Sequence, residues 1–201
     1  MSRFIESVNI SDGRIIRPEY HWYRIERTLR FHGIRTGMVY YIERFNDLQV
    51  QGLGKFKWRI VYGPEGISEE TITPYEQRKI GKLKLVEVDD FEYNWKHLDR
   101  SYIDRQFADR GEADDILFVK NGYLADTSYA NVLLWDGSAW YTPDTPLLKG
   151  TQRAYLLDQG IIIERSIQVK EIFEYKKLKM VNAMLPFGEA PELIIDPKTI
   201  I

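Results

Sequence analysis

No cysteine occurs among the 201 residues, which excludes disulfides, thiolate nucleophiles and cysteine-ligated metals. Histidine is nearly as scarce. His21, His32 and His97 stand far apart with no second ligand at zinc-site spacing, so each reads as a packing or surface residue and no metal site is expected. Nowhere do eighteen apolar residues run together, and "MSRFIESVNISDG" has no apolar core of signal-peptide length. The expectation is a cytoplasmic protein with no membrane partner. A dominant charge is missing as well: 28 basic against 30 acidic residues, net charge −2, give no basic field for nucleic acid. There is no Walker loop, no G-x-G-x-x-G and no G-x-S-x-G, and "GLGKF" from residue 52 reads as a turn. Linkers rich in Pro, Gly or Ser and solenoid-type repeats are absent too.

What is present is a chain 44% hydrophobic and 13% aromatic, enough for one sizeable core or two small lobes. "FIESVNI" alternates, Asp12-Gly13 is a hairpin turn, and "RIIR" returns as the partner strand. Pro18 suits a first helical position, Trp22, Ile25 and Leu29 keep helical spacing, and Gly33 can end that helix. "MVYYIERF" continues as a second helix. The runs "KFKWRIVYG", "ISEETITPYE" and "KLKLVEV" suggest an antiparallel meander completing a first α+β lobe. Beyond it, "DDILFVKNGYLADTSYANVLLWDGSAWYTP" holds three strand-like runs punctuated by Asn121-Gly122 and Asp136-Gly137. "LLKGTQRAYLLDQG" is helical, and "IIIERSIQV", "KEIFEYKKL", "KMVNAML" and "PELIID" read as strand, helix, strand and strand. The economical arrangement is two α+β lobes, residues 1–90 and 91–201.

The segment "EYNWKHLDRSYIDRQFADRG" (92–111) reads mostly as a polar helix, yet it sets a lysine between Trp95 and Leu98. Taken with "GYLADTSYANVLLWDG", "YTPDTPLLKGTQR" and "VNAMLPF", this "WKHLDR" stretch resembles the successive landmarks of the class IV aminotransferase family. "FIESVNISDGR" is similar to that family's F-E-T-I-R and turn, and "EYHWYRI" to its E-x-H-x-x-R-L helix. The resemblance covers nearly the whole chain, in order.

The resemblance implies the two-lobed α+β architecture of fold type IV pyridoxal phosphate enzymes, with the N-terminal lobe shortened. Lys96 would carry the cofactor covalently, the larger lobe holding it, and Trp95 and Leu98 would favour the neutral amine by keeping water away. Asp126, five residues before Asn131, takes the place of the family glutamate that holds the pyridine nitrogen protonated. Aspartate is one methylene shorter, about 1.5 Å of reach. Arg24, three residues after His21, matches the family's phosphate-binding arginine. Gly150, Thr151 and Gln152 would offer a helix N-terminus to the phosphate, and Asn182 and Ala183 the loop completing its cup. "NAMLPF" resembles the N-A-L-M-P of aminodeoxychorismate lyase, and Ser7 sits where that enzyme carries a threonine. The implied reaction is therefore a carbon–carbon lyase step releasing pyruvate and 4-aminobenzoate, with Lys96 moving the α-proton and Ser7 delivering one to the departing ring. An aminotransferase acting on a branched-chain or D-amino acid, and a non-catalytic dimeric domain of the same fold, are the alternatives. Arg59 and Arg100 are candidates for holding a substrate carboxylate. The family also implies a homodimer, a site between the lobes and an amino-acid-like small-molecule substrate. Asn9 replaces a common basic residue, and "KGTQR" lacks the usual proline.

Overall fold

Alternation in the first strand organises one half of the chain. In β1 (Phe4–Ser11), Phe4, Val8 and Ile10 share a face and enter a core with Ile25 and Leu29 of α1 (Pro18–Phe31) and Tyr41 and Phe45 of α2 (Met38–Asp47). Asp12 and Gly13, both at positive φ, turn the chain into β2 (Arg14–Ile15). β3 (Lys55–Gly63) pairs antiparallel with β1 and adds Trp58, Ile60 and Tyr62 to the core, and β4 (Gly66–Pro74) follows as a polar edge strand. The strand order is β2-β1-β3-β4. This computed structural model describes residues 2–35, 37–50 and 52–201. The chain forms two units, Met1–Glu76 with Trp95–Asp99, and Gln77–Asn94 with Arg100–Ile201.

The second unit begins with β5 (Leu83–Glu87), which runs parallel to β6 (Asp115–Lys120) and continues no meander of the first unit, contrary to the sequence expectation. Alternation alone does not separate a parallel from an antiparallel neighbour. Between these strands only α3 (Ser101–Ala108) is helical, so Lys96 lies in an irregular stretch rather than on a polar helix. That stretch groups with the first unit because Ile5 N–H donates to the Lys96 carbonyl (2.9 Å) and Leu98 N–H to the Arg3 carbonyl (2.8 Å).

β6 returns through Asn121-Gly122, both at positive φ, as β7 (Tyr123–Thr127). The expected three strand-like runs become four, because the chain reverses again within residues 127–130 before β8 (Asn131–Trp135), and β9 (Trp140–Pro143) follows. Apart from the turn itself, β7 and β8 share a single residue pair, Asp126 with Asn131. β8 then pairs with β9 on one side and along its whole length with β11 (Lys177–Val181) on the other. The loop from β9 leads to α4 (Thr151–Asp158), which crosses over to β10 (Ile163–Arg165), parallel to β9. "KEIFEYKKL" is a 3-10 turn (Val169–Glu174) entering β11 instead of a full helix, and β12 (Glu192–Ile194) closes that edge. Leu133 and Val181 pack against Leu156 of α4, while Val132, Leu134 and Met180 point to the opposite core. No helix among the described residues is long and apolar enough to cross a membrane.

Candidate active site

In the first unit the informative residue is Glu6, on the core face of β1 in line with Phe4 and Val8 and fully buried. A carboxylate there requires compensation. α1 provides it from two residues three apart: Arg24 donates from Nε to Oε1 (2.8 Å) and from Nη2 to Oε2 (2.5 Å), and His21 Nδ1 lies 2.6 Å from Oε2. Burial by itself would push the Glu6 carboxyl up, but the Arg24 charge and the hydrogen bonds from His21 and Arg24 outweigh it and hold the group at about 2. Burial also pushes His21 down, with the Arg24 and Lys96 charges adding to it and Glu6 opposing. A neutral His21 facing an ionised Glu6 must carry its proton on Nδ1 and donate it. Glu6 thereby occupies the Nε–Nη2 edge of Arg24.

Lys96 is half-buried, and its charge is close enough to His21 to lower that ring's basicity. Its backbone is bracketed by the bonds to Ile5 and Arg3 and by aromatic contacts. The Trp95 ring lies 4.5 Å from Phe31 and 4.9 Å from the Arg27 guanidinium carbon, and His97 lies 5.0 Å from Phe4. Ser7 and Arg59 are register partners on β1 and β3, and Arg59 makes a loose pair with Glu69 (3.9 Å).

In the second unit, the point where β7 and β8 part company holds a closed polar ring. Asn131 donates from Nδ2 to Asp126 Oδ1 (2.7 Å) and to the Leu148 carbonyl (2.8 Å), and Leu148 N–H donates to Asp126 Oδ2 (2.9 Å). Burial pushes the Asp126 carboxyl up to about 6, although Leu148 N–H, Asn131 and the Arg153 charge all pull it down. Each carboxylate oxygen still has acceptor capacity, so a buried anion of this kind suits a neighbouring cation such as a protonated ring nitrogen. Gly150 passes so close to Asn131 that a Cβ built there would run into Asn131 Oδ1. The first α4 bond runs from Ala154 N–H to the Gly150 carbonyl, so the N–H groups of the preceding turn, including those of buried Thr151 and Gln152, have no acceptor inside the helix. The sequence thus contributed Asp126, Asn131, Gly150, Thr151 and Gln152 to one locality, and these residues fit the polar ends of pyridoxal phosphate in charge and donor type.

Other sequence candidates do different work. Arg100 donates from Nη2 to the Ser128 carbonyl (2.8 Å) and pairs with Asp104 (3.6 Å). Asn182 donates to the Tyr129 carbonyl (3.1 Å) and accepts from Met184 N–H (2.8 Å), with Ala183 between them in the same turn. Sequence reading missed Glu6, Asp115 and Arg153. Glu6 carried a signal, a carboxylate on the apolar face of an alternating strand. Asp115 had one too, as a charged residue directly ahead of the buried apolar run Ile116–Val119. Arg153 is buried, with Nη2 donating to the Pro143 carbonyl (2.9 Å) and to Glu164, and nothing in its spacing marked it.

Buried carboxylate, helix start and close glycine approach meet within one unit of a mixed α+β fold. The family model described as "Amino-transferase class IV" matches residues 3–191. An uncharacterised protein of Haemophilus influenzae is 36% identical over 189 residues, 92% of this chain and 98% of its own length. The chain therefore belongs to the class IV aminotransferase family, whose members are pyridoxal phosphate enzymes of fold type IV. Among solved structures, a proposed 4-amino-4-deoxychorismate lyase from Haemophilus somnus 129PT is 28% identical with a TM-score of 0.84, covering 93% of this chain and 98% of that one. A proposed amino-acid aminotransferase from Mesorhizobium loti has a TM-score of 0.84 at 20% identity and covers 100% of both chains.

Proposed function

We propose that this chain is a pyridoxal-phosphate-dependent lyase that converts aminodeoxychorismate, or a close analogue, into 4-aminobenzoate and pyruvate. The observation that carries the reading is the likeness, in sequence and fold together, to the Haemophilus somnus lyase candidate. Bound pyridoxal phosphate supplies an electron sink at the substrate's α-carbon. Asp126, fixed by Asn131 and Leu148 N–H, holds a proton at the ring nitrogen. Arg24, kept in place by Glu6, and the Thr151 and Gln152 N–H groups hold the phosphate, and the Asn182–Ala183 turn closes that end. Lys96 would anchor the cofactor, and its amine would then take the α-proton as the bond between the ring and the enolpyruvyl oxygen breaks and the ring becomes aromatic. The departing enolpyruvate takes up one proton at its methylene carbon to become pyruvate, and Ser7 would pass it there. The reaction is atom-balanced without a second substrate, which separates it from amino transfer. We also propose that the chain works as a homodimer, measurable by light scattering.

The test supplies aminodeoxychorismate with no keto acid present and follows pyruvate with lactate dehydrogenase, while borohydride reduction and peptide mapping locate the bound cofactor. Pyruvate without an acceptor, with label on Lys96, is the expected result. Product only when a keto acid is added would favour the aminotransferase reading, for which the Mesorhizobium loti likeness supports the fold alone. Neither product nor label would leave a retained fold without its chemistry.

A further inference from the structure

The turn between Asp126 and Asn131 is held by side chains from three distant parts of the second unit. Asp115 Oδ1 faces Ser128 N–H (3.4 Å) and also accepts from Ile116 N–H (2.7 Å). Arg100 Nη2 donates to the carbonyl of the same Ser128, and Asn182 Nδ2 donates to the carbonyl of Tyr129. Within the turn, Ala130 N–H donates to Thr127 Oγ1 (3.1 Å) and Thr127 N–H to the Ala130 carbonyl (2.9 Å). Asp115 is itself fully buried and braced by Arg78, which donates to its Oδ2 (3.3 Å) and to the Asp114 carbonyl (2.7 Å). A two-residue reversal between strands that share one pair has little ladder of its own, so outside groups must fix where it points.

We propose that Arg100, Asp115 and Asn182 form a clamp on the Ser128–Tyr129 backbone, making them positioning residues for the Asp126 carboxylate. Arg100 thereby loses its place as a candidate for holding substrate: its guanidinium acts through Ser128. The geometry has a direct consequence. Asp126 and Asn131 flank the turn, so a shift of the turn opens the ring that Asp126, Asn131 and Leu148 close, and water reaches a carboxylate now kept dry. The link from the clamp to cofactor binding rests on the role given to Asp126 above. The link from the clamp to the state of Asp126 does not.

The test reads both separately. In cofactor-free protein carrying carbon-13 at aspartate carboxyls, with Asp126 assigned from Asp126→Asn, the wild-type group is expected to titrate at about 6. In Arg100→Met and in Asp115→Asn it is expected to move at least one unit toward the ordinary value of 3.8. Pyridoxal phosphate affinity in the same variants falls by about tenfold, the size of effect usual for groups that orient a ligand-holding residue. Arg100→Lys, which keeps a donor, restores part of both. An Asp126 titration unchanged in Arg100→Met and Asp115→Asn would overturn the clamp. If the titration moves but Asp126→Asn leaves cofactor affinity intact, the clamp stands and the cofactor role of Asp126 fails. Should Asp115→Asn not fold, Arg100→Met and Arg100→Lys decide, since the Arg100 side chain is partly exposed.

Discussion

Single residues in this protein carry opposite electrostatic burdens, and the sign of each can be measured. Asp126 has its carboxyl raised from 3.8 to about 6, so the folded state binds its proton more tightly than the unfolded state. That contribution to stability is present below pH 4 and is lost as pH rises through 6. The stability difference between wild type and Asp126→Asn, from urea unfolding of cofactor-free protein, should shift by roughly 3 kcal/mol against wild type between pH 3 and pH 8. Only the pH dependence is diagnostic, because the amide also misplaces a donor against Asn131 or Leu148 N–H. At Gly150 the issue is space. Gly150→Ala drives a methyl into Asn131 Oδ1 and breaks the bonds from Asn131 to Asp126 and to the Leu148 carbonyl, so unfolding should show a loss of about 1–3 kcal/mol and cofactor affinity should fall with it. Ser7→Ala separates binding from chemistry. Its hydroxyl has no hydrogen-bond partner among the described residues, so cofactor loading should be unchanged while lyase turnover falls at least about a hundredfold, read from steady-state pyruvate release.

At the scale of elements, β1 and α1 are joined by one buried ionic cluster, and its acid sensitivity follows from two groups acting in the same direction. Glu6 is lowered from 4.5 to about 2, so its stabilising contribution is full above pH 4.5 and lost as pH falls toward 2. His21 is lowered from 6.5, so below that pH the unfolded chain takes up a proton the folded ring resists, and stability falls again. Glu6→Gln leaves Arg24 buried without its counter-charge and should cost roughly 3–5 kcal/mol at pH 7, shrinking as pH approaches 2, as followed by denaturant titration. The elements joined here were legible in the sequence: the β1 alternation, the Asp12-Gly13 turn and the Pro18 start all stand where residue pattern and backbone chemistry put them. The order of Lys96, Asp126, Asn131 and Gly150 was legible through family resemblance, because spacing along the chain survives divergence. Partnership between distant strands was not. β5 looks the same by alternation whether it neighbours β4 or β6, and the turn at 127–130 hides inside a run that reads as continuous strand. The grouping of Trp95–Asp99 with the first unit depends on backbone bonds to Arg3 and Ile5, which leave no trace in side-chain pattern.

For the whole molecule, the residues proposed to hold pyridoxal phosphate include a buried anion, an arginine fixed by Glu6 and the first residues of a helix, an arrangement the unfolded chain lacks. A ligand bound only by the folded state stabilises it by mass action, about 2.7 kcal/mol at a hundredfold excess over Kd. For a chain of 201 residues that corresponds to a rise in Tm of roughly 5–10 °C. Scanning calorimetry with and without the cofactor should show this rise in wild type. Borohydride-reduced protein, in which the proposed link at Lys96 could no longer dissociate, should melt no lower. The separate ends of the cofactor can be distinguished in the same experiment. Inorganic phosphate alone should reproduce part of the shift, and Arg24→Met should remove that part. Asp126→Asn should leave the phosphate response intact while reducing the response to pyridoxal phosphate, because the role proposed for its charge is at the ring and not at the ester. A Tm that responds to neither ligand would show that the native chain has no affinity for the cofactor. The polar ring at Asp126 and the ionic cluster at Glu6 would then be explained by the packing demands of their own strands.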